Sequence, residues 1–341
     1  MKKKLIEFFV CIIIIGTLAY PASGVIRTNY NFIPLLYNGI LYVGGTGEGN
    51  YTKIQEAIDN SSDGNIIFVF DESSPYFENL LVNKAITLIG EDRETTIIDG
   101  GQNGNVVYVT VDGVTISGFT ITNGKDSYLF AGVDICANYT TISNNIVKNN
   151  YIGIAIWDNN HNPNRIIFYD NVISDNIIIS NSLEGVWFDY CKNSIVKSNI
   201  LRNNNISSIH MFSASNNIIS GNDISNSDYG LSLYDDSNNN DISSNNFVNN
   251  KRYCILILDS GKNNFSQNNL IESGRRNVKL FYYIWSLRRN KWDDNYWGIS
   301  KEEPHVILVS ISIRLPGRVG LHIIPWIEFD KNPAPEPHDF S

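Results

Sequence analysis

Apolar and polar positions in the second half of the chain keep a fixed step of 23 residues. Val196, Ile219, Ile242 and Phe265 form one apolar column, and Leu201, Ile224, Phe247 and Leu270 form another. Asparagine keeps the same step at Asn176, Asn199, Asn222, Asn245 and Asn268, and a second polar column runs Asn193, Asn216, Asn239 and Lys262. Several registers sharing one period over successive turns define a stacked repeat architecture. No apolar run in the unit is long enough for a repeat helix. Short β-branched runs separated by Asn, Ser, Asp and Gly predict strands and tight turns. The fold class is therefore all-β: a solenoid whose ~23-residue coils stack at about 4.8 Å. Amides stacked at one register bond from coil to coil as a ladder, which explains why Asn recurs there rather than being merely frequent.

Earlier in the chain the glycines of 44–49 mark turns. Ile54, Ala57 and Ile58 then fall on one helical face, with Thr52 as the expected N-cap, and predict a short helix that closes the open end of the first coil. Strand-like runs follow at Ile66–Phe70, Leu80–Val82, Ile86–Ile89, Thr96–Ile98, Val106–Val111 and Val114–Ile121. The segment YTKIQEAIDNSSDGNIIFVF, the later VDGVTISGFTITNG and the 23-residue units resemble right-handed parallel β-helix proteins. The likeness is to the NosD-like, periplasmic copper-binding repeat group and to archaeal and bacterial surface proteins with the same repeats. It implies a single right-handed parallel β-helix with an N-terminal helical cap over 42–300, preceded by a lead-in (25–41). The segment NKWDDNYWG resembles the closing segment of such surface proteins, where bulky rings would plug the last coil. Residues 301–341 are expected to give further strands and a Pro-rich strap along the surface.

One interval breaks the step: Asn145 and Asn176 are 31 residues apart, eight more than the period, which places an insertion around Asp158–Arg165. Such insertions bulge from one turn of a solenoid.

The N-terminus reads as an export signal over residues 1–24: Lys2, Lys3 and Lys4, an apolar core from Phe8 to Tyr20, and the small residues Ala22, Ser23 and Gly24. The apolar run is short for a membrane span, and no other transmembrane segment is expected. The net charge is −9, and removing 1–24 would make it two units more negative. An acidic exported chain is a poor partner for nucleic acid. The Cys residues beyond the signal region lie in or beside apolar runs and read as small core residues. Sequons at Asn50, Asn60, Asn138, Asn205 and Asn264 would suit a secreted or cell-surface glycoprotein.

Aligning the ends of the G-I-x-L-x-D motifs puts Asp158, Asp189, Ser213, Asp235 and Asp259 at one register, preceded by Trp157, Phe188, Phe212, Tyr234 and Leu258. The expected ligand-binding residues are Trp157, Asp158, Asp189, Tyr234, Asp235 and Asp259. Stacked carboxylates would repel or recruit a cation such as Ca²⁺, although Asp is also an ordinary turn residue. No catalytic residue, resident cofactor or metal ligand set is assigned. Pectin methylesterases open similarly at KIQEAI, but their Gln-Asp pair has no counterpart here, and Arg165 and Arg202 match a lyase base by type only. The first expectation is a non-enzymatic protein binding glycans or other cell-envelope polymers through a lateral face. A polysaccharide lyase or glycoside hydrolase using the Asp column with Arg165 is the alternative. A NosD-like copper role is a third, with Met211 beside His210 the only soft neighbour of a histidine.

Overall fold

Each coil is closed by three corners of one design: a residue in the left-handed region, then a buried amide or hydroxyl. In one coil Ser198 (φ 54°) precedes Asn199, Asn203 (φ 56°) precedes Asn204, and Asn216 (φ 60°) precedes Asn217. Asn and Gly visit that region at least cost, so these residues recur wherever the chain bends. The computed structural model describes residues 39–158, 165–274, 277–283, 288–298, 304–313 and 321–340. The expected signal segment, most of the expected lead-in and positions 159–164 of the insertion lie outside the described residues.

Between the corners run three parallel sheets. The first contains Ile195–Lys197, Ile218–Ser220 and Asp241–Ser243, the second Ile200–Arg202, Asp223–Ser225 and Asn246–Val248, and the third the longer Ser207–Phe212, Tyr229–Tyr234 and Tyr253–Leu258. The apolar columns are the middle residues of the first two sheets. Val196 pairs with Ile219, Ile219 with Ile242 and Ile242 with Phe265, all fully buried. Full burial of each such side chain contributes roughly 1.5–3 kcal/mol.

The asparagine ladder is present and extends at both ends. Asn145, Asn176, Asn199, Asn222, Asn245 and Asn268 each donate the backbone N–H to Oδ1 of the next member at 2.9–3.1 Å. The second polar column is corrected by one residue. Asn193, Asn216, Asn239 and Lys262 hold the left-handed corner positions (φ 55–60°), and the rungs are the next residues: Ser194, Asn217, Asn240 and Asn263. A third ladder runs Asn150, Asn181, Asn204.

The helix Ile54–Asn60 buries Ile54, Ala57 and Ile58 against the first coils, as expected. Thr52 is not its cap. Lys53 holds that position without a side-chain bond, and the Glu78 carboxylate accepts from the N–H groups of Ile54 (2.9 Å) and Gln55 (3.0 Å). A carboxylate from a neighbouring coil thus satisfies helix donors that local sequence leaves open.

At the other end, Trp292 stacks on Phe265 (centroids 4.1 Å apart), and Trp297 packs beside Trp292 and on His305. An antiparallel hairpin of His305–Ile313 and Leu321–Asp330 closes the stack and joins the first and third sheets. Its Glu328 and Asp330 accept the last rungs' N–H bonds, from Asn290 (3.1 Å) and Asn295 (3.1 Å). The tail follows as a strap, with His338 and Asn269 exchanging bonds.

Candidate functional site

The third sheet has the longest strands, so it presents the most outward side chains. Strand alternation sends Ile209, Met211, Leu231 and Leu233 into the core and Trp187, His210, Phe212 and Tyr234 outward. Rings follow one another from coil to coil: Tyr128–Trp157 (centroids 6.4 Å apart), Trp157–Trp187 (5.4 Å), Trp187–His210 (4.7 Å) and His210–Tyr234 (4.9 Å). This row crosses four coil steps, roughly 19 Å at the β-stacking interval. Its near end is seated on a small apolar cluster outside the solenoid, Ala131, Ile152, Ala155 and Trp157, with Leu129, Tyr151, Leu183 and Trp187 packed against it.

Beneath the middle of the row lies a polar group. Glu184 is buried, and its Oε2 accepts the Ser207 N–H at 2.6 Å. Its Oε1 is 3.9 Å from His210 Nδ1, and that nitrogen shares a hydrogen bond with Ser232 Oγ (3.0 Å), which in turn meets Ser207 Oγ (2.9 Å). Burial raises the Glu184 carboxyl to about 8 and lowers the His210 imidazole to about 4. Both are therefore neutral near pH 7, and the 3.9 Å contact is not an ion pair. Burial also lifts the Tyr234 hydroxyl to about 12, with Tyr229, Glu184 and Asp235 adding to the rise. The site offers neutral donors and acceptors flanked by rings, and two groups able to exchange a proton if a substrate reached them.

The sequence-derived residues divide between this face and the turns. Tyr234 is in the row. Trp157 is on the same face but only 4% exposed, under Tyr128, and its indole N–H donates to Asp134 Oδ1 at 2.9 Å. The expected register holds for Ser213, Asp235 and Asp259 and is corrected at Asp189. Asp189 pairs with Phe212, Phe212 with Tyr234 and Tyr234 with Leu258. Asp235 and Asp259 instead continue a column with Tyr190 and Ser213, all four at positive φ. They are turn residues at a corner, not partners of Asp189. Phe188, expected beside the aspartates, is in the core, and its neighbour Trp187 faces out. Asp158 lies close enough to Asp189 to help raise that carboxyl to about 6; burial contributes most, and Arg165 opposes it. Trp187 Nε1 and Asp189 Oδ1 are buried and have no hydrogen-bond partner among the described residues. Arg202 pairs with Asp223 on another sheet. Met211 and His210 point to opposite faces and form no joint site. Among the described residues no group of three or more His, Cys, Asp or Glu is placed to hold a metal ion.

Glu184, Trp187 and Tyr128 escaped the sequence reading. Glu184 carried a signal: it is an acid in a register that Ile152 and Ser207 otherwise fill.

A family model described as a right handed beta helix region matches residues 132–290. The protein is a right-handed parallel β-helix. The A-module of the mannuronan C-5 epimerase AlgE6 of Azotobacter vinelandii has the same fold, with a TM-score of 0.56 and 15% identity, covering 72% of this chain and 73% of that one. An alginate lyase from Paenibacillus aligns with a TM-score of 0.51 and 13% identity over 70% of this chain and 97% of that one. A cell surface glycoprotein of Methanothermus fervidus is 38% identical over 105 residues. That match covers 30% of this β-helix and only 16% of the glycoprotein. No helix among the described residues is long and apolar enough to cross a membrane.

Proposed function

We propose that this β-helix is an exported, surface-associated protein that binds an extended glycan along its third sheet. The ring row carries this reading. Aromatic faces suit the C–H faces of pyranoses, and one ring per coil sets a repeat comparable to one sugar in an extended polysaccharide. The export-type N-terminus and the likeness to a cell surface glycoprotein support the location. Fold relatives named for action on mannuronan and alginate support a polysaccharide as the partner class. Retardation of the protein in gels cast with polysaccharides tests the reading. Trp187→Ala should abolish retardation while leaving the far-UV spectrum unchanged, and a variant retarded like the native chain would refute the row.

A second reading, a carbohydrate-active enzyme, is favoured by one observation: Glu184 and His210 lie 3.9 Å apart with their proton affinities pushed in opposite directions. In that reading they are the proton-transfer residues. Product release from a retained polysaccharide, lost in both Glu184→Gln and His210→Ala, would establish it; retention without product leaves binding as the function.

A further inference from the structure

The charge around the row carries more information than the rings. From Asp134 through Ala155, Trp187, His210 and Ser232 to Leu256, one outward column holds no Lys or Arg along the row; its next member, one coil further, is Lys279. The column two residues further along these strands, from Trp157 through Asp189, Phe212 and Tyr234 to Leu258, holds none either. The rim is acidic, with Asp158 and Asp189 on one side and exposed Asp235 beside Tyr234. Nearby cations are already engaged. Arg165 lies over the Tyr190 ring at 4.8 Å. Arg252 pairs with Asp228 at 3.1 Å and covers Tyr229, and Lys279 lies over Tyr253 at 5.6 Å.

We infer that the row accepts an uncharged glycan and rejects polyuronates, the polymer class that the fold relatives' names bring to mind. This rests on the glycan-binding reading above and narrows it. A polyuronate laid along the row would place a carboxylate at each sugar, against an acidic rim and with no free cation among the described residues to receive it. Repulsion at close range is the usual means of rejecting such a partner, and the chain's net charge of −9 adds to it. An uncharged sugar meets the opposite situation. Its C–H face stacks on Trp187 and Tyr234. Its hydroxyls can donate to the half-buried Asp189 carboxylate and exchange bonds with the neutral His210 ring nitrogen left free by Ser232.

Affinity electrophoresis of the full chain against xylan, a mixed-linkage β-glucan, alginate and polygalacturonate tests the inference. At low salt, at least one uncharged polymer should bind ten-fold or more tightly than either polyuronate. The double variant Asp158→Asn, Asp235→Asn, at two rim acids that the uncharged sugar does not use, should bring polyuronate affinity up at least three-fold while leaving the uncharged polymer within two-fold. Preference of the native chain for a polyuronate would overturn the inference and leave glycan binding intact. Retention of no polymer, or retention indifferent to Trp187→Ala, would overturn glycan binding by the row and the inference with it.

Discussion

Asn216 and Asn217 are chemically identical neighbours with different work, and replacing each with alanine separates the two roles. Asn217 is fully buried. Its Oδ1 accepts the Ser194 N–H (2.8 Å), and its Nδ2 donates to Cys191 O (3.1 Å) and Asn240 Oδ1 (3.1 Å). In Asn217→Ala the Cys191 carbonyl keeps the Ser215 N–H, and Asn240 Oδ1 keeps the backbone N–H of residue 217. The Ser194 N–H is left buried with no acceptor. An orphaned donor plus two lost amide bonds costs roughly 2–4 kcal/mol. Asn216 is exposed at φ 60°, so Asn216→Ala exacts only the left-handed penalty of a residue with a Cβ and no amide, about 1 kcal/mol. Urea denaturation followed by tryptophan fluorescence gives the comparison. Because stacked coils can unfold in stages, the relevant quantity is the order of midpoints, not an extrapolated free energy. Asn217→Ala should lie well below Asn216→Ala, and Asn217→Ser between them, since Ser194 already serves as a rung by accepting the Asn171 N–H (3.2 Å). Equal midpoints for the two alanine variants would show that the ladder amides contribute nothing beyond the corners.

Stability should depend on pH through the pair under the row. Glu184 rises from 4.5 to about 8 on folding, so its neutral form is fully favourable below pH 4.5 and the benefit is lost as pH climbs to about 8. His210 falls from 6.5 to about 4, so its contribution is complete above pH 6.5 and is lost as pH drops to about 4. The two slopes cancel between 4.5 and 6.5, and urea midpoints should decline above 6.5; Glu184→Gln should remove that alkaline decline. At the C-terminal end, Asp330→Ala takes the acceptor from Asn295 and from the Trp297 indole (3.0 Å). It should destabilise the last coil and expose strand edges, visible as concentration-dependent oligomers in size-exclusion chromatography, whereas Asp330→Asn, which keeps an acceptor oxygen, should stay close to native. Millimolar Ca²⁺ should leave the melting temperature unchanged, because Asp158 and Asp189 share their surroundings with Arg165 and fall short of the six to eight oxygens that Ca²⁺ takes; a clear rise abolished by Asp189→Asn would reverse this assignment.

The core was legible because a solenoid repeats its inward positions without exception. Val196, Leu201 and their counterparts could not drift without opening a cavity. The surface was less legible because its positions slip by single residues. In the Asn-Asn pairs 216–217 and 239–240 either amide could be the rung, and the choice is settled only by Lys262, whose charge cannot occupy a buried register, so that Asn263 must. The same slip governed the site. The third-sheet step is 23 residues from Asp189 to Phe212, then 22 to Tyr234, then 24 to Leu258. An alignment anchored on Asp places Asp189 one position late, and on a strand one position exchanges core for solvent. That is why Phe188, a core residue, stood in the outward position that Asp189 holds. Glu78 at the helix and Asp330 at the last rung belong to another category. Each answers donors supplied by a different part of the chain, so no local window contains both partners. The first ladder explains the second of these: every rung's backbone N–H donates toward the C-terminus, so the last rung, Asn295, needs an acceptor where no further coil follows, and Asp330 supplies it.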